Sequence, residues 1–164
     1  MKEPYRVAFS LLRVAGSPVG GLRDAEQLSR LWEAGLNCPL STGMGRLLDG
    51  AAAILGIRER CSYEGQAAIL LEASAREDAG FYPPVIEEAD GLLRFDWREA
   101  VCLLAEEKKA GTEPGVLAAR FMNTLVEMAA QMASMAAEAS GIYRIVLSGG
   151  SFQKEGSEKQ PVPH

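Results

Sequence analysis

The sequence predicts a mostly helical domain with a small β component, and three features carry that expectation. Apolar residues recur at three- and four-residue spacing along most of the chain. One Asp-Gly pair, Asp90-Gly91, stands between two short β-capable runs. A further β-branched run, "IYRIVL", closes near two glycines towards the C-terminus. With 164 residues, 48% of them hydrophobic, the chain can bury one modest core, so a single domain is expected.

Pro4 suits a first helical turn, and Val7, Leu11 and Val14 behind it predict a helix over residues 3–15, ended by "GSPVGG". Asp24 with Gln27 three residues on has the form of a capping box, and Leu28, Leu31 and Trp32 give the next helix its buried face. "NCPLSTG" breaks the pattern. A third helix over residues 42–55 puts Met44, Leu47, Leu48, Ala51 and Leu55 on one stripe. "SYEGQAAILLEASARED" reads as a fourth, beginning at Ser62 or Tyr63, and "YPPVIEEADGLLRFDW" as a hairpin turning at Asp90-Gly91. "REAVCLLAEEKKAG" resumes as helix.

The longest element covers residues 113–140. Leu117, Phe121, Leu125, Met128, Met132, Met135 and Ala139 form its apolar stripe, assigned to the core, although a methionine stripe can also serve as an adaptable groove. Arg120, Thr124, Glu127, Gln131, Ser134 and Glu138 are assigned to the opposite side. After Gly141, "IYRIVLSGG" is expected to form a short buried strand ending at the glycines.

Composition narrows the partners. A net charge of −5 leaves no broad basic surface, so neither nucleic acid nor a membrane is expected. No run approaches the roughly 20 apolar residues of a membrane span, and "MKEPYRVAFS" lacks the order of a secretory signal, which points to a cytoplasmic protein. Cys38, Cys61 and Cys102 form no C-x-x-C, and the single histidine is His164, so no zinc site is expected and the thiols read as reduced, small hydrophobes.

Two places could hold a ligand. Gly45, Asp49, Ala52 and Gly56 share a helix face on which small residues surround one carboxylate. Either another helix packs closely there beside a solvated Asp49, or a ligand approaches and Asp49 accepts its hydroxyl hydrogen bonds. The second place is Ser148-Gly149-Gly150, where glycines at a strand end allow positive φ and let amide N–H groups face an anion. An ordinary turn is the alternative.

The segments "KEPYRVA", "CPLSTGMGRLLDGAAAILGI", "SYEGQAAILLEA", "FDW", "AARFMNTL" and "VLSGGSFQ", in this order, closely resemble the C-terminal part of the HypF family, the carbamoyltransferases of nickel-iron hydrogenase maturation. A cruder similarity runs to the TsaD family, whose G-E-A-F-D and G-G-V-A-x-N motifs look like "GRLLD" and "SGGSFQ". The resemblance implies a helical subdomain of an actin-like, sugar-kinase-like α/β fold, incomplete on its own. It also implies ATP and carbamoyl adenylate as ligands, a divalent metal in the intact family, and a HypE-like partner whose C-terminal cysteine thiol receives the carbamoyl group. Asp49 and Gly45 would then face the nucleotide near its ribose, and Ser148, Gly149 and Gly150 would wrap the phosphates.

Departures from the family bound those implications. The paired histidines and aspartates that hold the family's metal are missing from this chain, Lys154 stands at an asparagine position, and Met122 replaces the histidine of F-H-N-T-L. The expectation is a partial transfer domain over residues 1–153, followed by a polar, disordered tail over residues 154–164. Such a chain would bind nucleotide weakly at most, and would act with missing HypF portions or associate with itself through exposed apolar surface. A non-catalytic helical interaction module is the competing class.

Overall fold

The computed structural model describes residues 3–148. Six helices and one hairpin follow each other: α1 (Pro4–Ala15), α2 (Ala25–Glu33), α3 (Met44–Ile54), α4 (Gln66–Ser74), β1 (Val85–Ala89), β2 (Leu92–Asp96), α5 (Arg98–Lys109) and α6 (Pro114–Ser140). The mostly helical expectation with a small β component is met.

Pro4 opens α1, and Gly16 closes it in the left-handed region with Ser17 N–H donating to the Leu12 carbonyl at 2.9 Å. The capping box at α2 does not form. Asp24 sits at φ 55 and its side chain makes no capping bond, because a cap of that kind needs an extended backbone that aims the carboxylate at the first turn. α4 begins later than Ser62 or Tyr63. Gly65 stands at φ 80 before it, and Ser62 N–H donates to Gln66 Oε1 at 2.8 Å, so residues 62–65 form a turn.

The hairpin forms where expected. β1 and β2 pair antiparallel from Val85 opposite Asp96 to Ala89 opposite Leu92. Asp90 and Gly91 both take positive φ, 57° and 72°, the combination a two-residue turn matched to strand twist requires.

The core lies where α1 and α4 flank α3, with α5 against α1 and α6 across α4 and α5. Leu55, Leu71, Leu104, Leu117 and Phe121 are almost fully buried there. Gly50 sets the α1 to α3 spacing: a Cβ on it would strike Leu11 Cδ1 and lie 3.2 Å from Val7 Cγ1. A second cluster of Tyr5, Phe9 and Leu28 joins α2 to α1, with Trp32 edge-on to Phe9 at 6.3 Å.

Two expectations fail at the C-terminal side. In α6, Thr124, assigned to the outer side, has no exposure at all, whereas Met135 and Ala139, assigned to the core, are exposed. Periodicity identifies residues that share a face but not whether anything covers it. Residues 142–147 form no strand, and Ile142, Tyr143, Val146 and Leu147 are 57–87% exposed. The only sheet among the described residues is the two-stranded hairpin, which leaves this segment no edge to join.

Candidate functional site

α3 carries the first candidate. Asp49 is 3% exposed, so it is not the solvated carboxylate of the simple packing alternative. Arg46, one turn earlier, places Nη1 3.0 Å from Asp49 Oδ2. Opposite charges at i, i+3 on a helix lie side by side, so this pair could have been found in "GRLLD" from spacing alone. Glu64 reaches the other Arg46 nitrogen only at 4.0 Å, from a side chain 86% exposed.

The small-residue face is not uniform. Gly45 is exposed, and a Cβ there would meet nothing within 4 Å. Ala52 is fully buried in the core, and Gly56 is an exposed helix end at φ 76. The face is thus exposed at its two glycine ends and buried between them at Asp49 and Ala52, with half-buried Arg46 beside Gly45.

Ser148 is exposed on the chain that leaves α6, and Gly149 and Gly150 lie outside the described residues. Two depressions lie elsewhere. An open one of about 440 Å³ is lined by Gly20, Leu22, Asp24 and Arg30, and a crevice of about 50 Å³ lies between Phe9, Leu28 and Trp32. Neither is lined by a residue of α3.

The divalent metal implied by resemblance was tested against the donors present. Among the described residues, no group of three or more His, Cys, Asp or Glu side chains is placed to hold a metal ion. Cys102 instead donates to the Ala15 carbonyl at 3.0 Å and accepts from Ser17 Oγ at 3.1 Å, while Cys61 is buried and Cys38 exposed. These residues do not fit a metal site, and no step is derived through one.

A polar cluster that the sequence reading missed fastens residues 78–82 to α6. Arg120 donates to Asp78 Oδ1 at 3.1 Å and to both Glu107 oxygens at 3.1 Å. Tyr82 Oη donates to Glu107 Oε2 at 2.9 Å. Asn123 Nδ2 donates to the carbonyls of Asp78 and Gly80, and Thr124 Oγ1 accepts the Tyr82 N–H at 2.8 Å. Arg120, with help from the Gly80 N–H, holds the Asp78 carboxyl below its usual range. Burial, reinforced by Glu107, pushes the Tyr82 hydroxyl well above its usual range. Arg120, Asn123 and Thr124 are the polar members of "AARFMNTL", so that segment works here as a latch. Every bond in it is satisfied within the chain, which makes it structural.

Comparison with known proteins accords with this architecture. A family model described as Carbamoyltransferase, Kae1-like Domain, second subdomain matches residues 1–156. The carbamoyltransferase HypF of Synechocystis sp. is 34% identical over 130 residues, covering 78% of this chain and 16% of the relative. A HypF homolog of Cupriavidus necator is 34% identical over 169 residues, covering 92% of this chain and 42% of the relative. A crystal structure of full-length HypF in the phosphate- and nucleotide-bound form matches 95% of this chain with a TM-score of 0.80 and 30% identity, and this chain covers 21% of it. The chain thus spans between 16% and 42% of the length of these relatives. Matched over nearly all its described length in both sequence and shape, the chain belongs to the HypF carbamoyltransferase family, as the second subdomain of the Kae1-like domain.

Proposed function

We propose that this chain is a partial transfer domain, residues 1–153, that works as one wall of a HypF-type carbamoyl-transfer site and acts only with the remaining parts of such a protein. The agreement in shape over 95% of the chain with a HypF solved in a nucleotide-bound form carries this reading. On it, the α3 face with Gly45 and Asp49 lines the nucleotide, and Ser148, Gly149 and Gly150 approach the phosphates. ATP and carbamoyl phosphate supply carbamoyl adenylate, and the rest of a HypF protein supplies the divalent metal.

In the transfer step, the C-terminal thiolate of a HypE-like partner attacks the carbamoyl carbon. A C–S bond forms, the C–O bond to the adenylate phosphate breaks, and AMP leaves with the electron pair. Catalysis of this kind depends on holding the leaving phosphate and the nucleophile in line, which preorganised donors on two walls accomplish. A cytoplasmic site within hydrogenase maturation suits a reaction that needs a reduced thiol.

Reconstitution tests the reading. The chain is mixed with the remaining HypF portions, ATP, carbamoyl phosphate and HypE, and carbamoylation of the HypE thiol is followed by mass spectrometry. Product is expected only when both parts are present; a folded remainder that gains nothing from this chain overturns the proposal. Calorimetry on the isolated chain should detect weak ATP binding at most, and tight magnesium-dependent binding would refute its insufficiency.

A second reading is favoured by one observation, the exposed apolar run at Ile142, Tyr143, Val146 and Leu147. A non-catalytic interaction module would use that run to bind a partner or a second copy. A stable homodimer indifferent to nucleotide, with no reconstituted activity, would select it.

A further inference from the structure

We infer that Arg46 is the ligand-contacting member of the Arg46 and Asp49 pair, and that Asp49 is its positioning residue. The inference rests on the nucleotide role proposed for this face and replaces a direct contact from Asp49 with an indirect one. Burial separates the two roles. The Asp49 side chain is 4% exposed and the Arg46 side chain 24%, so the carboxylate offers a ligand almost nothing of itself, whereas the guanidinium reaches the surface.

The geometry is that of a braced fork. Asp49 Oδ2 forms an ion pair with Arg46 Nη1 at 3.0 Å. Gly50, next to Asp49, is packed against Val7 and Leu11, which fixes the backbone that carries the carboxylate. A guanidinium has five N–H donors in a rigid plane, and an ion pair at one end keeps the group over α3 while leaving donors for a ligand. Exposed Gly45 presents no wall beside it. Among the described residues Glu64 is the other carboxylate paired with Arg46, and at 4.0 Å and 86% exposure it is a loose partner that an anion can displace. A braced arginine of this form selects a planar pair of anionic oxygens, and in the proposed reaction the phosphate of the nucleotide is that anion.

The test uses this chain reconstituted with the remaining HypF portions, with AMP and adenosine as probes. Arg46→Ala should weaken AMP by about tenfold to a hundredfold, the range for one lost charge-assisted hydrogen bond, and leave adenosine unchanged. Arg46→Lys, which keeps the charge but not the fork, should also weaken AMP alone. Asp49→Asn should weaken AMP in the wild-type background and change nothing further in the Arg46→Ala background. If Asp49→Asn weakens adenosine as much as AMP, the carboxylate meets the nucleoside directly and the inference falls while the proposed function stands. If AMP binding is indifferent to Arg46, the inference falls likewise. A wild-type reconstitution that binds AMP tightly but carbamoylates nothing overturns the proposed function instead, and one that binds neither probe overturns both. Melting temperatures separate a folding defect from these outcomes, and where Asp49→Asn does not fold, the Arg46→Lys result decides.

Discussion

Thr124 in the middle of α6 offers a sharp check on the latch. Its side chain is fully buried, its Oγ1 accepts the Tyr82 N–H at 2.8 Å, and its hydroxyl donates to the Arg120 carbonyl at 2.8 Å. Valine has nearly the same shape, so Thr124→Val removes both bonds while filling the same space. The Tyr82 N–H then loses its acceptor in a dry setting, at a cost of about 1–3 kcal/mol. The added methyl returns roughly 0.8 kcal/mol of burial, leaving a net loss of about 0.2–2 kcal/mol by subtraction. Thr124→Ser keeps both bonds and loses one methyl, for about 1 kcal/mol with the small void included. Valine is therefore expected to be destabilising by an amount comparable with serine, although it is the more hydrophobic choice. In a domain of this size each kcal/mol moves the melting temperature by about 2–4 °C. Thermal unfolding followed by circular dichroism, with hydrogen exchange at the Tyr82 amide, reads both effects. A Thr124→Val protein as stable as the parent, with the Tyr82 amide equally protected, would refute the reasoning.

Other consequences follow from contacts described above. Gly115→Ala would place a Cβ 2.7 Å from the Ser74 carbonyl oxygen, while the neighbouring Arg76 N–H is bonded to the Gly115 carbonyl. Urea denaturation should therefore show a loss of about 1–3 kcal/mol from overpacking, despite the helical preference for alanine. Asp78 is held ionised by Arg120, so its folded-state pKa lies below its unfolded one, and its contribution is present above the ordinary carboxylate range and lost as pH falls through the depressed value. Asp78→Asn should flatten the acid limb of stability against pH, and an unchanged limb would count against the latch. Val146→Asp, at a site 87% exposed, should alter monomer stability by less than about 0.5 kcal/mol yet reduce association measured by light scattering. A large loss of monomer stability would mean that the segment packs within the chain.

The sequence was most informative where a local rule determines the answer. Each helix appears because apolar spacing and breakers act within a few residues, and the hairpin appears because Asp90-Gly91 satisfies a turn that tolerates little else. Helix starts were less legible, since Asp24 and Gly65 both take left-handed conformations that a side-chain capping rule does not anticipate. The latch was invisible for a different reason: Arg120 and Asp78 lie 42 residues apart, and nothing in local spacing brings them together. Arg46 and Asp49 sit on one turn of α3, so their pairing is legible from i, i+3 spacing alone.

Burial is the property that local rules convey least, because it belongs to both surfaces in contact. Residues 142–147 alternate nothing: five of the six are large and apolar, which describes a strand covered on both faces and paired along its edges. In this chain the run has neither cover nor edge partner among the described residues, and its side chains stand exposed. The second half of α6 shows the same mismatch, with Met135 in the apolar stripe yet 38% exposed. Phe121 and Leu117, earlier in that stripe, are fully buried because α4 and α5 lie against them. A pattern written for burial, met only at one end of a continuous helix, describes a surface whose other half is expected from a second chain or segment, and this is the physical basis for testing the protein in reconstitution rather than alone.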